Sequence, residues 1–124
     1  MSHRVLVVED ERDLANLLAM NLRHEGFEVR TAYDGREGLA HVKSWVPDLV
    51  ILDLMLPVMN GFDVLRHLSV ADPAMLERTI VITGASERLY RNSPQIRHTR
   101  ALLRKPFDIA KLQQEVAAAC AVHH

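Results

Sequence analysis

The sequence predicts an open α/β sandwich: one five-stranded parallel sheet with helices on both faces. Three observations carry that prediction. Four short apolar runs recur along the chain, each closed by a polar residue and followed by helical spacing. Three of the four are rich in β-branched residues and none alternates with polar ones, the pattern of strands covered on both faces. Strand and helix then alternate five times, and right-handed crossovers distribute the helices over the two faces.

The first strand is Val5-Leu6-Val7-Val8. The helix after it carries Leu14, Leu17, Leu18 and Leu22 on one face, and Gly26 stops it. Phe27-Glu28-Val29-Arg30-Thr31 alternates apolar and polar residues and reads as an edge strand. Asp34 and Glu37 have capping-box spacing ahead of Leu39 and Val42, and that second helix must end before Pro47. Leu49-Val50-Ile51-Leu52 is the third strand, and a third helix opens near Gly61 with Phe62, Leu65 and Leu68 as its stripe. Ile80-Val81-Ile82 is the fourth strand. Residues 84–99 form the weak stretch, where Ser93-Pro94 is either a break or a fresh N-cap with proline at N1, so a short or distorted helix is expected. Ala101-Leu102-Leu103 is the fifth strand. The last helix starts at Asp108, with Ile109, Leu112, Val116 and Cys120 as its apolar stripe and Phe107 stapled to Leu112.

Composition narrows the function. With 124 residues the chain is expected to be one domain over 1–124, its core about 3–121, with no internal repeat or interdomain linker. The single cysteine excludes a disulfide framework and a cysteine zinc site, and suits a reducing cytoplasm. Fifteen basic against sixteen acidic residues leave a net charge of −1, less basic than a domain built around a nucleic-acid groove. No apolar run reaches about 18 residues, so neither a membrane span nor a signal peptide is expected.

In open α/β sheets, ligands bind outside the carboxyl ends of the strands, where the winding direction reverses. The residues closing the strands therefore belong together: Glu9-Asp10 after the first, Asp53 after the third, Thr83 after the fourth and Lys105-Pro106 after the fifth. Two carboxylates about 4 Å apart at an effective dielectric of 20 repel by roughly 4 kcal/mol, and without a counter-charge one would keep its proton. A divalent cation removes the conflict. Oxygen donors without His or Cys suit Mg²⁺, which takes one or two carboxylates plus a phosphate oxygen. A carboxylate can accept a phosphoryl group when its neighbours absorb the added charge, and a metal, a lysine and a hydroxyl could each take one equatorial oxygen. Each residue alone has a plainer reading. Asp10 could cap the first helix, Asp53 could cap a turn before Pro57, Thr83 could be a strand residue, and Lys105-Pro106 could be a loop. Four strand ends with complementary chemistry make the joint reading the stronger one.

At this point the sequence resembles the receiver domain of two-component response regulators across essentially its whole length. The matching residues are Arg4-Val5-Leu6-Val7-Val8-Glu9-Asp10-Glu11, Asp34-Gly35 with Gly38-Leu39, Pro47-Asp48-Leu49-Val50-Ile51-Leu52-Asp53-Leu54-Met55-Leu56-Pro57, Asn60-Gly61, Ile80-Val81-Ile82-Thr83-Gly84 and Lys105-Pro106-Phe107. The intervals of 43 residues from Asp10 to Asp53, 30 to Thr83 and 22 to Lys105 resemble those of that family. The resemblance implies a flavodoxin-like, doubly wound sheet of strand order 2-1-3-4-5. It implies that Asp53 is the phospho-acceptor, supplied by a phosphohistidine of a sensor histidine kinase or a histidine phosphotransfer protein. Glu9 and Asp10 would organise Mg²⁺, with Asp10 the direct ligand and the Met55 backbone carbonyl a further one. Thr83 and Lys105 would be the switch hydroxyl and the phosphate-pairing lysine, and the Lys105-Pro106 bond is commonly cis in the family. Such a domain catalyses its own phosphoryl uptake and loss and is not a turnover enzyme. Its switching face is expected on the fourth helix, fifth strand and fifth helix, open to self-association or to a downstream protein.

The sequence departs from the family at that face. An aromatic residue usually stands three positions before the lysine, and here it is Leu102, after Arg97-His98-Thr99-Arg100. The usual coupling of the switch hydroxyl to an aromatic rotamer is therefore in question. Residues 88–105 carry Arg88, Arg91, Arg97, Arg100, Arg104 and Lys105 and no acid. They read as a solvated basic face, as a docking surface for an acidic partner or a dimer mate, or least well as a nucleic-acid site. The seven histidines show no metal spacing, Trp45 reads as a helix-end packing residue, and Cys120 as a buried small hydrophobe. Met55 and Ala85 would flank the phosphoryl pocket. Two other classes compete: a phosphorylation-independent interaction module on the same fold, and a flavodoxin-like enzyme or nucleotide binder. The second lacks a glycine-rich phosphate loop, and Glu9-Asp10-Glu11 would repel phosphate there. A stand-alone receiver and a piece of a longer regulator remain open alternatives.

Overall fold

The register of five parallel strands brings the polar strand ends level. The computed structural model describes residues 3–120, and the expected core limit at residue 121 lies outside them. Strands β1 (Arg4–Val8), β2 (Glu28–Ala32), β3 (Leu49–Asp53), β4 (Thr79–Thr83) and β5 (Ala101–Arg104) form one sheet of order β2-β1-β3-β4-β5. Every pairing is parallel. Between the strands run α1 (Arg12–His24), α2 (Gly35–Trp45), α3 (Gly61–Ala71), two single turns α4 (Pro73–Leu76) and α5 (Glu87–Tyr90), a 3-10 turn (Ile96–His98) and α6 (Ile109–Cys120).

Successive strand residues point to opposite faces and so feed two separate cores. Leu6, Val8, Val50, Leu52 and Val81 pack on one side with Leu39, Val42, Val64, Leu65 and Leu68 of α2 and α3. Val5, Val7, Leu49, Ile51, Ile80 and Ile82 pack on the other with Ala15, Leu18, Ala19 and Leu22 of α1 and Leu112 and Val116 of α6. The helix ends follow their predicted punctuation. Asp34 accepts the Glu37 amide at 2.8 Å, α2 ends at Trp45 ahead of Pro47, and Gly26 adopts φ +98° beyond α1. Trp45 is buried at its helix end, with the guanidinium groups of Arg4 and Arg30 over its ring.

Four details differ from the sequence reading. Leu17 is 47% exposed, because the α1 stripe runs through Ala15, Leu18, Ala19 and Leu22. The two alanines let the helix approach the sheet closely and turn Leu17 outward. The second strand begins at Glu28 and not Phe27. The turn α4 was not anticipated, although Asp72-Pro73 carries its signal: Asp72 caps it, with Pro73 in the first turn. Cys120 is only partly buried, at the margin of the second core. The stretch after β4 is short and broken, as expected, with α5 four residues long. Among the described residues, no helix is long and apolar enough to cross a membrane.

Candidate functional site

Pairing of Val8 with Leu52, of Asp53 with Ile82 and of Thr83 with Arg104 sets the next residues of four strands around one point. Glu9 is fully buried and Asp53 is 3% exposed, whereas Asp10 is exposed. One carboxylate oxygen from each of Glu9, Asp10 and Asp53 lies within 4.8 Å of the others. Lys105 reaches this cluster across the top of the sheet. Its Nζ donates to Glu9 Oε1 at 2.6 Å and to Asp53 Oδ2 at 3.0 Å. The Lys105-Pro106 bond is cis.

The remaining oxygens are held by backbone. Glu9 Oε2 accepts the Glu11 amide at 3.0 Å, and Asp53 Oδ1 accepts the Met55 amide at 3.1 Å. Thr83 is buried and its Oγ1 accepts the Ala85 amide at 2.9 Å, which leaves the hydroxyl proton available for another acceptor. Asp10 does not cap α1: the N-cap is Glu11, without a side-chain bond. The plainer reading of Asp10 is thereby removed. That of Asp53 is met in part, since its side chain does close a turn on Met55.

The electrostatics follow from burial. Desolvation pushes the Glu9 carboxyl above its ordinary value, and the nearby Asp53 charge adds to this, while hydrogen bonds from Lys105 and the Glu11 amide pull it down. For Lys105, burial works against the ammonium, but hydrogen bonds and charge from Glu9 and Asp53 outweigh it and raise its pKa. Three carboxyl groups thus face one ammonium at the rim of the sheet. A donor set of oxygens alone, with surplus negative charge and one exposed member, fits a hard divalent cation such as Mg²⁺.

Sequence reasoning missed how closely the backbone is packed beneath this cluster. Asn60 accepts the Asp63 amide at 3.0 Å as the N-cap of α3, and the Gly61 amide donates to the Leu54 carbonyl at 2.8 Å. A Cβ at Gly61 would collide with the Asp53 carbonyl oxygen and stand 2.6 Å from the Leu54 Cα. Asn60-Gly61 is therefore more than the turn it was read as: the glycine lets the backbone carrying Asp53 and the start of α3 touch. At the distal face, Leu102 packs against the first core, where Tyr90 is also buried.

The family model for the response regulator receiver domain matches residues 5–117. The chain belongs to that family. The receiver domain is 36% identical over 115 residues to the response regulator ArlR of Staphylococcus aureus, an alignment covering 93% of this chain and 51% of that protein. The chain thus spans about half the length of the curated relatives it matches. Among solved structures, it superposes on a CheY-like receiver domain protein from Methanospirillum hungatei with a TM-score of 0.87 at 25% identity, covering 95% of this chain and 93% of that one. It superposes on the response regulator TrrA of Thermotoga maritima, solved in complex with Mg²⁺-BeF, with a TM-score of 0.83 at 31% identity, covering 94% and 98%. The flavodoxin-like five-stranded parallel sheet of order 2-1-3-4-5 is that of these receiver domains. The receiver domain is a signalling module of two-component systems.

Proposed function

We propose that this receiver domain accepts a phosphoryl group on Asp53 from a phosphohistidine of a sensor histidine kinase or a histidine phosphotransfer protein. One observation carries the reading: a buried carboxylate held by a lysine and a backbone amide, with two further carboxyl groups within 4.8 Å. In the transfer, an Asp53 oxygen bonds to phosphorus as the phosphorus–nitrogen bond of the donor breaks. The electron pair returns to the imidazole, which takes up a proton as it needs one. Lys105 is already paired with Asp53 and can follow the charge onto the phosphoryl oxygens. Thr83 can turn its free hydroxyl proton toward one of them, and the Ala85 amide bonded to Thr83 would move with it.

Mg²⁺, when bound, would shield the approaching phosphoryl charge from the carboxylates. Asp10 and Asp53 would hold it, with Glu9 beside them and the Met55 carbonyl contributing from the backbone. The Thermotoga relative, solved in complex with Mg²⁺-BeF, supports this choice. The domain would release its phosphoryl group by its own chemistry rather than turn over an external substrate. It would do so in the cytoplasm, where kinase and phosphotransfer domains of this class present their histidines.

The test is phosphoryl uptake from a small phosphodonor with Mg²⁺, read by intact mass. One group is expected on the unaltered chain and none on Asp53→Asn; equal uptake by the variant overturns the assignment. A phosphorylation-independent interaction module on the same fold predicts instead that partner affinity ignores the phosphodonor.

A further inference from the structure

Among the described residues, the two most exposed large apolar side chains are Val70, at 86%, and Val58, at 71%. Both border one groove of about 440 Å³ along the outer side of α3, lined also by Met59, Asp63, Arg66 and His67. Asp63, Arg66, His67 and Val70 stand at i, i+3, i+4 and i+7, so they form one stripe of that helix. Val64, Leu65 and Leu68 take its other side into the first core. Folding of a single chain does not account for Val58. It adopts φ +67°, where a β-branched residue is strained, and a glycine would sit there at less cost. A valine at that point gives its apolar surface only to something outside the chain.

The stripe is complementary to itself. A copy of α3 can be laid antiparallel on it about a two-fold axis at the level between Val64 and Leu65. Asp63 then falls opposite the partner's Arg66, and Arg66 opposite the partner's Asp63. Val70 falls opposite the partner's Met59, with the partner's Val58 beside it. Every contact is made twice, as a two-fold interface requires. Within one chain Asp63 and Arg66 already pair, but both are partly exposed, and exposed pairs within a helix hold weakly enough to be exchanged.

We propose that the outer stripe of α3, with Val58 and Met59, is a contact between two copies of this chain. The two α3 helices run antiparallel, reciprocal Asp63–Arg66 pairs join them, and Val70 seats against the partner's Val58 and Met59. Charge decides among occupants. One acid, one arginine and a neutral histidine leave the stripe without net charge, so it offers nothing to a nucleic acid or to a strongly charged peptide. A copy meets it with opposite signs in register. The contact uses none of Asp10, Asp53, Thr83 or Lys105, and it lies on α3 and not on α5, β5 or α6. It therefore does not rest on the phosphoryl-acceptor reading.

Sedimentation velocity from about 10 μM to about 1 mM, without phosphodonor or Mg²⁺, tests the proposal over the range of a small reversible contact. The sedimentation coefficient is expected to rise with concentration. Asp63→Arg and Arg66→Asp should each weaken association about tenfold or more, because like charges then face each other twice. An equimolar mixture of these two variants should recover it, since each copy then meets the opposite sign; no effect confined to one helix gives that recovery. Val70→Glu, at a position too exposed to disturb the core, should weaken association as strongly, and Met20→Glu, at an exposed position of α1, should leave it unchanged. A monomer throughout, a dimer that survives Asp63→Arg or Val70→Glu, a mixture that stays monomeric, or a dimer lost on Met20→Glu would each overturn it. Phosphoryl uptake at Asp53 should be the same in all these variants, so failure here stays separate from failure of the phosphoryl-acceptor reading.

Discussion

At the residue scale, Lys105 ties the chemistry together. Among the described residues its ammonium is the only cation bonded to the carboxyl cluster, so Lys105→Ala should still bind Mg²⁺ yet lose the conformational response to phosphodonor. Hydrogen exchange over residues 84–105 reads this, and a response equal to that of the unaltered chain would remove Lys105 from the switch. Its raised pKa also has a signed consequence. Above the ordinary value of 10.5, the folded chain keeps a proton that the unfolded chain has lost, so stability must fall as pH rises through that window. Urea unfolding between neutral and strongly alkaline pH should show this fall, reduced in Lys105→Met. Every polar member of the cluster was legible in the sequence, because each stands where an apolar run stops. Gly61 was not: a missing side chain gives no signal until the backbone opposite it is known.

Two positions at the scale of elements are set by backbone conformation. Gly61→Ala would drive a methyl group into the backbone of Asp53 and Leu54 at the junction of β3 and α3. It should cost about 1–3 kcal/mol by denaturant titration and slow phosphoryl uptake more than its stability loss explains. Val58 in the same connection adopts φ +67° and is 71% exposed, so a β-branched residue sits in the left-handed region with little packing to hold it there. Val58→Gly should therefore stabilise the chain by about 1 kcal/mol; no gain would show that the loop relaxes on its own. Elements were read well where apolar runs were long and capped, and less well where small residues did the packing. Ala15 and Ala19 set the buried face of α1, and a reading that followed leucines put Leu17 inside.

For the whole molecule, the strand ends hold more negative charge than Lys105 balances, so Mg²⁺ should raise the melting temperature by binding only the folded chain. Calorimetry with and without Mg²⁺ checks this, and Asp10→Asn should abolish most of the gain without lowering the metal-free midpoint. The parallel topology was readable from the alternation of strands and helices. The charge asymmetry of residues 88–105 was visible in sequence too. One contact has a wider consequence. Lys105 and Glu9 are 96 positions apart, and they meet where the ends of β1 and β5 are brought together across β3 and β4. A chain that has not brought those four strands together lacks the contact, so if Asp53 is the proposed acceptor its labelling would count folded molecules and pass over the rest.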